Sequence, residues 1–385
     1  MYEFHSPTRV IFGEGAARQA GARARELGMT KVLLVTGSSR TAQACSWLSE
    51  VLAREGIALA VFSEVTADPD TGTVDRGAEL YRREACDGII AFGGGSPIDC
   101  AKGIAASVAE GRSIRDFVGT SLAFTKPVPP LIAIPTTAGT GTEVTNAAVF
   151  TVIGDDGRRS KKGTSSIYYF PRIALVDPEV HKSMPPSLTA ATGMDALTHA
   201  IEAYVSRFHT PMSDMYCLEA IRLIGLSLRT ACRDGSDMKA RSDMALAAAL
   251  GGVGLSQAGL GMVHGFAHPV GALAGLAHGL ANAILLPFVM DALKEDAGDR
   301  LIAVGSALSG HSVQNPDEAV AAIAGLGKDI GIPRNLEEAG VSESWFEAIL
   351  SDALTYRRRK ASPRAFTDDE LRALLERMYK ERISG

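Results

Sequence analysis

Residues Gly88–Asp99 read GIIAFGGGSPID, an apolar run that meets three glycines, a serine and the opening of a helical pattern. A short buried strand that turns on glycine into a helix lets backbone approach a pyrophosphate closely. Ser96 and the first amides of the helix then become donors to it. Working outward, Lys31–Thr36 (KVLLVT), Ala60–Phe62 with its neighbours and Leu131–Pro135 (LIAIP) read as further buried strands. Ala42–Glu55 and Thr73–Ala85 read as helices between them, so the first half is expected to form βαβ units around a parallel sheet. Thr8–Phe12 is expected to add a β-ribbon before the first helix. Ile134–Thr145 (IPTTAGTGTEVT) is a second polar loop after a strand, with hydroxyls at Thr136, Thr137 and Thr140. Two such loops at the carboxyl edge of a parallel sheet form a nucleotide-binding arrangement. Phe12–Gly21 (FGEGAARQAG) fails as a dinucleotide fingerprint, because Arg18 stands where the third glycine belongs.

The chain has 385 residues, 46% of them hydrophobic and 22% charged, enough for two domains with large cores. A net charge of −5 and only 6% aromatic residues argue against nucleic acid and anionic membranes as partners. The five cysteines are scattered with no CxxC pair, which fits reduced, buried thiols in a cytoplasmic protein. The opening MYEFHSPTRVIFGEG has no apolar core of a signal peptide. Val270–Met290 has the length of a membrane span, but His278, Asn282, Gly275, Gly279 and Pro287 interrupt it. It reads as one buried helix of a helical domain. Arg357–Lys360 (RRRK) reads as a solvated helix face.

From about Asp177 the strand-like runs stop and helical patterns dominate. Ser187–Ser206, Ala245–Ala258 and Leu301–Leu308 are expected helices, and the boundary falls near Val176–Pro185. The expected domains are thus 1–180, nucleotide-binding α/β, and 181–385, all-helical. Asp195 and His199 stand four residues apart within a helix, so both project from one face. No Lys, Arg, Asp or Glu occurs from Gly251 to Leu286, yet His264, His268 and His278 all do. Imidazoles buried there without a partner would be costly. One carboxylate with several imidazoles suits Fe²⁺, with Zn²⁺ as the alternative, and no thiolate stands near to favour zinc. Spacing leaves His264 and His268 equal as candidate ligands.

GGGSPIDCAK, PTTAGTGTEVT, ALVDPEV, MPPSLTAATGMDALTHAIEAYVS, HGFAHPVGA and HGLANAILLP closely resemble the iron-containing (group III) alcohol dehydrogenases, from about Tyr2 to at least Pro287. The resemblance implies a Rossmann-like parallel-sheet domain, an all-helical domain of the dehydroquinate synthase-like kind, and a cleft between them. It implies Asp195, His199, His264 and His278 as metal ligands, with His268 beside the nicotinamide as a catalytic non-ligand. It assigns Gly94, Gly95, Ser96, Asp99, Thr136, Thr137, Thr140 and Lys161 to the cofactor, with Lys162 as a substitute for Lys161. Without it, two adjacent lysines in a turn would be a solvated pair. Asp68 stands near the adenosine end, where relatives often have Asn. Many NAD-preferring members carry Asp after the first strand; here Gly37 replaces it, followed by Ser38, Ser39 and Arg40. The repulsion of a 2′-phosphate is gone, so the cofactor is NAD or NADP.

The implied reaction interconverts a small alcohol and its aldehyde or ketone, with the metal as Lewis acid and His268 on the proton path. Family resemblance also implies a homodimer paired through the N-terminal domain. A lyase resembling dehydroquinate synthase would need several Lys or Arg around the metal, which the charge-free stretch does not offer. A non-catalytic metal- or nucleotide-binding protein is the remaining alternative.

Overall fold

The computed structural model describes residues 1–37, 43, 45–154, 157 and 159–385. The chain divides into two compact units: residues 6–137 with 142–181, and residues 1–5, 138–141 and 182–385.

The first unit is built on a six-stranded sheet. Its strands are β1 (Arg9–Phe12), β2 (Lys31–Gly37), β3 (Ala58–Val65), β4 (Gly88–Gly93), β5 (Leu131–Pro135) and β8 (Ile173–Val176), in the order β1-β8-β5-β4-β2-β3. Every pairing is parallel. β2, β4 and β5 are buried along nearly their whole length, as expected of strands covered on both faces. Helices α1 (Ala20–Glu26), α2 (Trp47–Arg54), α3 (Thr71–Arg83) and α4 (Gly95–Glu110) make the connections. Asp70 caps α3, its carboxylate accepting from the Thr73 amide at 2.7 Å. The chain steps from β2 to β3 on one side and then to β4 on the other, so the strand order reverses at β2. Register levels Thr36 with Phe92 and Gly93 with Pro135, which places the carboxyl ends of β2, β4 and β5 along one edge.

Two expectations are corrected here, and a third lies outside the described residues. Thr8–Phe12 forms no ribbon; β1 is the edge strand of the main sheet and pairs with β8 alone. The SKKG segment is not a turn, because β6 (Ala147–Ile153) and β7 (Arg159–Ser165) form an antiparallel pair that carries both lysines. The expected start of the second helix at Ala42 lies outside the described residues, and α2 is described from Trp47.

The second unit is helical: α5 (Pro186–Val205), α6 (Pro211–Arg233), α7 (Met238–Ala258), α8 (Met262–Ala274), α9 (His278–Ala292), α10 (Lys294–Ser309), α11 (Pro316–Asp329), α12 (Phe346–Thr355) and α13 (Asp368–Lys380). The stretch Val270–Met290 is not one helix. Gly275, at φ 66°, takes the left-handed conformation that ends α8, and α9 starts afresh at His278. No single helix among the described residues is long and apolar enough to cross a membrane. Residues 1–5 join this unit through His5 and Gln257, whose amide donates to the His5 carbonyl at 2.8 Å. In the basic run, Arg359 and Lys360 are exposed on a short 3₁₀ turn.

Candidate active site

In the helical unit, Asp195 and His199 project from successive turns of α5. His264 stands in the first turn of α8, and His278 opens α9. Each offers one ligand atom, and those four atoms lie within 4.8 Å of one another. Bonds of about 2.1 Å to a first-row ion allow donors up to about 4.2 Å apart, so the group is within roughly half an ångström of closing on one. Asp195, His199 and His264 are 2%, 5% and 1% exposed, while the His278 side chain is 28% exposed and marks the open side. The His199 and His264 rings stack at 4.9 Å. His199 Nδ1 is buried with no hydrogen-bond partner. Three imidazoles and a carboxylate converging in apolar helices fit a single divalent ion, which would supply the charge this burial otherwise lacks.

His268, one turn along α8, lies outside this ligand group. Its ring sits 5.4 Å from that of His278 and 5.5 Å from that of Tyr356. Packing separates the two histidines that spacing left equal.

Two residues that sequence reading did not single out as functional contact these candidate ligands. Asn282, fully buried one turn after His278, donates from Nδ2 to Asp195 Oδ1 at 2.7 Å. The same nitrogen is 3.1 Å from His264 Nε2 and 3.2 Å from His278 Nε2. Glu202 accepts from the Val263 amide at 2.7 Å and lies 2.5 Å from His264 Nδ1. Burial pushes its carboxyl up to about 8, against amide hydrogen bonds that favour the ionised form. The available signal was position: i+3 from His199 and i+4 from His278 put both on ligand-bearing helix faces.

In the α/β unit, the loop after β4 passes into α4 with Gly94 as its N-cap. A Cβ on Gly94 would stand 3.1 Å from Thr137 Oγ1, and the Thr136 amide donates to the Gly93 carbonyl at 2.9 Å. The two polar loops are therefore one surface. Ser96 Oγ accepts from the Asp68 amide at 3.2 Å, and Lys161 pairs with Asp68 at 2.7 Å. Lys161 is 9% exposed in side chain, so it is no solvated lysine, whereas Lys162 faces solvent. Asp68 holds a left-handed φ of 52°, the kind of backbone strain that persists where surroundings demand it. Gly37 ends β2 at the point where the strand order reverses; Ser38, Ser39 and Arg40 lie outside the described residues.

Two assigned residues have further attachments. Thr140 lies in residues 138–141, which group with the helical unit. Asp99 is engaged within the protein: it accepts from Thr142 Oγ1 at 2.6 Å and from the Val149 amide at 2.9 Å. Behind it, the fully buried Lys102 donates toward Thr142 Oγ1, Thr145 Oγ1 and the carbonyls of Thr145 and Ala147, all at 2.7–3.0 Å. Burial holds the Lys102 amine down to about 8, and the carboxylates of Asp99 and Glu143 oppose that shift. This network ties the chain after the second loop to α4.

A parallel α/β unit with a glycine loop at its switch point, together with a helical unit that gathers one carboxylate and three imidazoles, defines a metal- and nucleotide-using enzyme class. Comparison with known proteins makes the family explicit. Residues 7–178 match the family profile of the iron-containing alcohol dehydrogenases, and residues 189–379 match the C-terminal profile of the same family. The chain is 38% identical to a 1,3-propanediol dehydrogenase of Klebsiella pneumoniae, over 98% of this chain and 99% of that one. It is 35% identical to an NAD-dependent methanol dehydrogenase of Bacillus methanolicus, with the same coverage. A solved structure of a 1,3-propanediol oxidoreductase superposes with a TM-score of 0.93 at 36% identity, covering 98% of this chain and all of that one. The chain belongs to the iron-containing alcohol dehydrogenase family, and it is an oxidoreductase that interconverts an alcohol and its carbonyl counterpart.

Proposed function

We propose that the enzyme acts on small, uncharged alcohols, diols and short aldehydes, using one divalent metal held by Asp195, His199, His264 and His278. The observation that carries this is the convergence of those four side chains in apolar helices. The ion is Fe²⁺, with Zn²⁺ as the alternative, and when bound it polarises the alcohol or carbonyl oxygen as a Lewis acid. The nicotinamide cofactor supplies the hydride acceptor or donor. Around these groups the chain's own residues bind, orient and move protons. Gly94, Gly95, Ser96 and the first amides of α4 receive the pyrophosphate at a helix N-terminus, where partial positive charge gathers. Thr136, Thr137, Thr140, Asp99, Asp68 and Lys161 complete the cofactor site, with Lys161 oriented by its ion pair to Asp68. His268, outside the ligand group, carries the alcohol proton toward solvent.

Gly37 carries no carboxylate to repel a 2′-phosphate, so NADP(H) is accepted beside NAD(H), with Ser38 and Ser39 as donors. Residues 1–180 serve the nucleotide and 181–385 the metal. The enzyme is cytoplasmic, consistent with its free cysteines, and forms a homodimer through β1. That edge strand exposes Val10 and Phe12, each 42% accessible, and an open strand edge invites pairing. The test is a panel of primary alcohols, diols and aldehydes assayed with both cofactors, alongside elemental analysis. About one metal per chain and turnover of the small neutral substrates are expected; metal-free protein with full activity would overturn the reading.

A further inference from the structure

Glu202 is 2% exposed and sits on α5 one turn beyond His199. Its Oε1 accepts from the Val263 amide at 2.7 Å, and the amides of Gly261 and His264 also donate to the carboxylate. Gly261 is the N-cap of α8, so these amides have no partner within that helix. Glu202 thus caps the helix that carries His264. Its other oxygen, Oε2, is 2.5 Å from His264 Nδ1. Across the ring, His264 Nε2 faces the donor Asn282 Nδ2 at 3.1 Å. An Nδ1–H ring satisfies both neighbours, donating to the Glu202 carboxylate on one side and leaving Nε2 to face the Asn282 amide on the other.

We infer that Glu202 is a positioning residue: it locks the Nδ1–H tautomer of His264 and thereby keeps Nε2 unprotonated as a metal donor. This rests on the metal reading above. In its ionised form the Glu202 side chain accepts with both oxygens, one from the amides and one from His264, and its amide cannot do this. Glutamine offers one acceptor and one donor. The backbone amides cannot reverse polarity, so the glutamine oxygen stays with them and its NH₂ group turns to Nδ1. Nδ1 must then accept, and the proton moves to Nε2, where it points into the ligand group. A partner that fixes the tautomer of a ligating histidine is worth about 10–100-fold in metal affinity.

The experiment uses full-length metal-free protein as wild type, Glu202→Gln and His264→Ala. Each is titrated with Co²⁺ against a chromophoric chelator, and imidazole ¹⁵N spectra read the tautomers, with His264→Ala assigning the His264 signals. Glu202→Gln should bind Co²⁺ about 10–100-fold more weakly than wild type. Its metal-free circular dichroism should match wild type, and His264 should change from Nδ1–H to Nε2–H. A capping role alone would lower the melting temperature and leave tautomer and affinity in place, which would overturn the proposal. An Nε2–H tautomer in the wild type would overturn it even if the variant failed to fold. A wild type that takes up no Co²⁺ would sink the metal reading and this proposal's premise with it, whereas unchanged affinity in Glu202→Gln alone would sink only the proposal.

Discussion

Replacing Gly279 by alanine should cost the enzyme its metal. A Cβ at that position would stand 2.4 Å from the Ala191 carbonyl oxygen, 2.9 Å from its carbon and 3.1 Å from Asp195 Cβ. All three atoms belong to α5, and two of them are backbone, so no side chain can swing aside. A carbon and a carbonyl oxygen settle no closer than about 3.3 Å, so the first turn of α9 must retreat by about 0.9 Å. His278 is the neighbouring residue on that turn and retreats with it. Metal bonds tolerate only about 0.2 Å of error, and the ligand atoms, already up to 4.8 Å apart, need to close rather than open. Overpacking of this kind costs about 1–3 kcal/mol, partly offset by the roughly 0.5–1 kcal/mol that alanine gains over glycine in a helix. At about 2–4 °C per kcal/mol for a unit of this size, the metal-free melting temperature should fall by a few degrees. Metal affinity should fall at least about tenfold, since one ligand is displaced beyond bonding reach. Elemental analysis and Co²⁺ titration read the affinity, and thermal melts with and without metal read the coupling. A variant that retains one metal per chain with wild-type affinity would refute the reasoning.

His268→Ala should keep its metal and lose about 10²–10⁴-fold in turnover, because the residue moves a proton and binds no ion; metal loss in that variant would return it to the ligand set. Gly37→Asp should shift the ratio of kcat/KM values toward NAD over NADP by more than about tenfold, as a charged hydrogen bond is gained and a repulsion restored. Equal ratios in variant and wild type would count against the cofactor reading. Lys102→Met removes a buried cation from four oxygen acceptors and leaves the buried carboxyls of Asp99 and Glu143 without it. Its urea midpoint should report a loss of about 3–5 kcal/mol, and a loss under about 1 kcal/mol would mean that the network is not structural.

Much of the fold was readable from local pattern. The runs KVLLVT, GIIAF and LIAIP are strands because they are short, apolar on both faces and punctuated by glycine or proline. The pairing of β6 with β7 was not readable, because RSKKGTS is polar throughout; two lysines in a row look like solvent-facing turn residues until Asp68 is found against one of them. The edge position of β1 was hidden for a related reason: Arg9–Phe12 pairs with Ile173–Val176, which lies more than 150 residues away.

The ligand types and their helical spacing were set by local sequence, since an i, i+4 carboxylate–imidazole pair shares a face wherever the helix goes. Choosing His264 over His268 was beyond spacing, because the two are themselves i, i+4 and share a face of α8. Only packing distinguishes them: α5 brings Glu202 behind one ring, α9 brings Asn282 in front of it, and the other ring is left beside Tyr356. Sequence dictates what a side chain can donate or accept and which face of its own helix it shares. Which donor meets which acceptor depends on helices that approach from distant parts of the chain, and that is decided by the packing of their apolar faces.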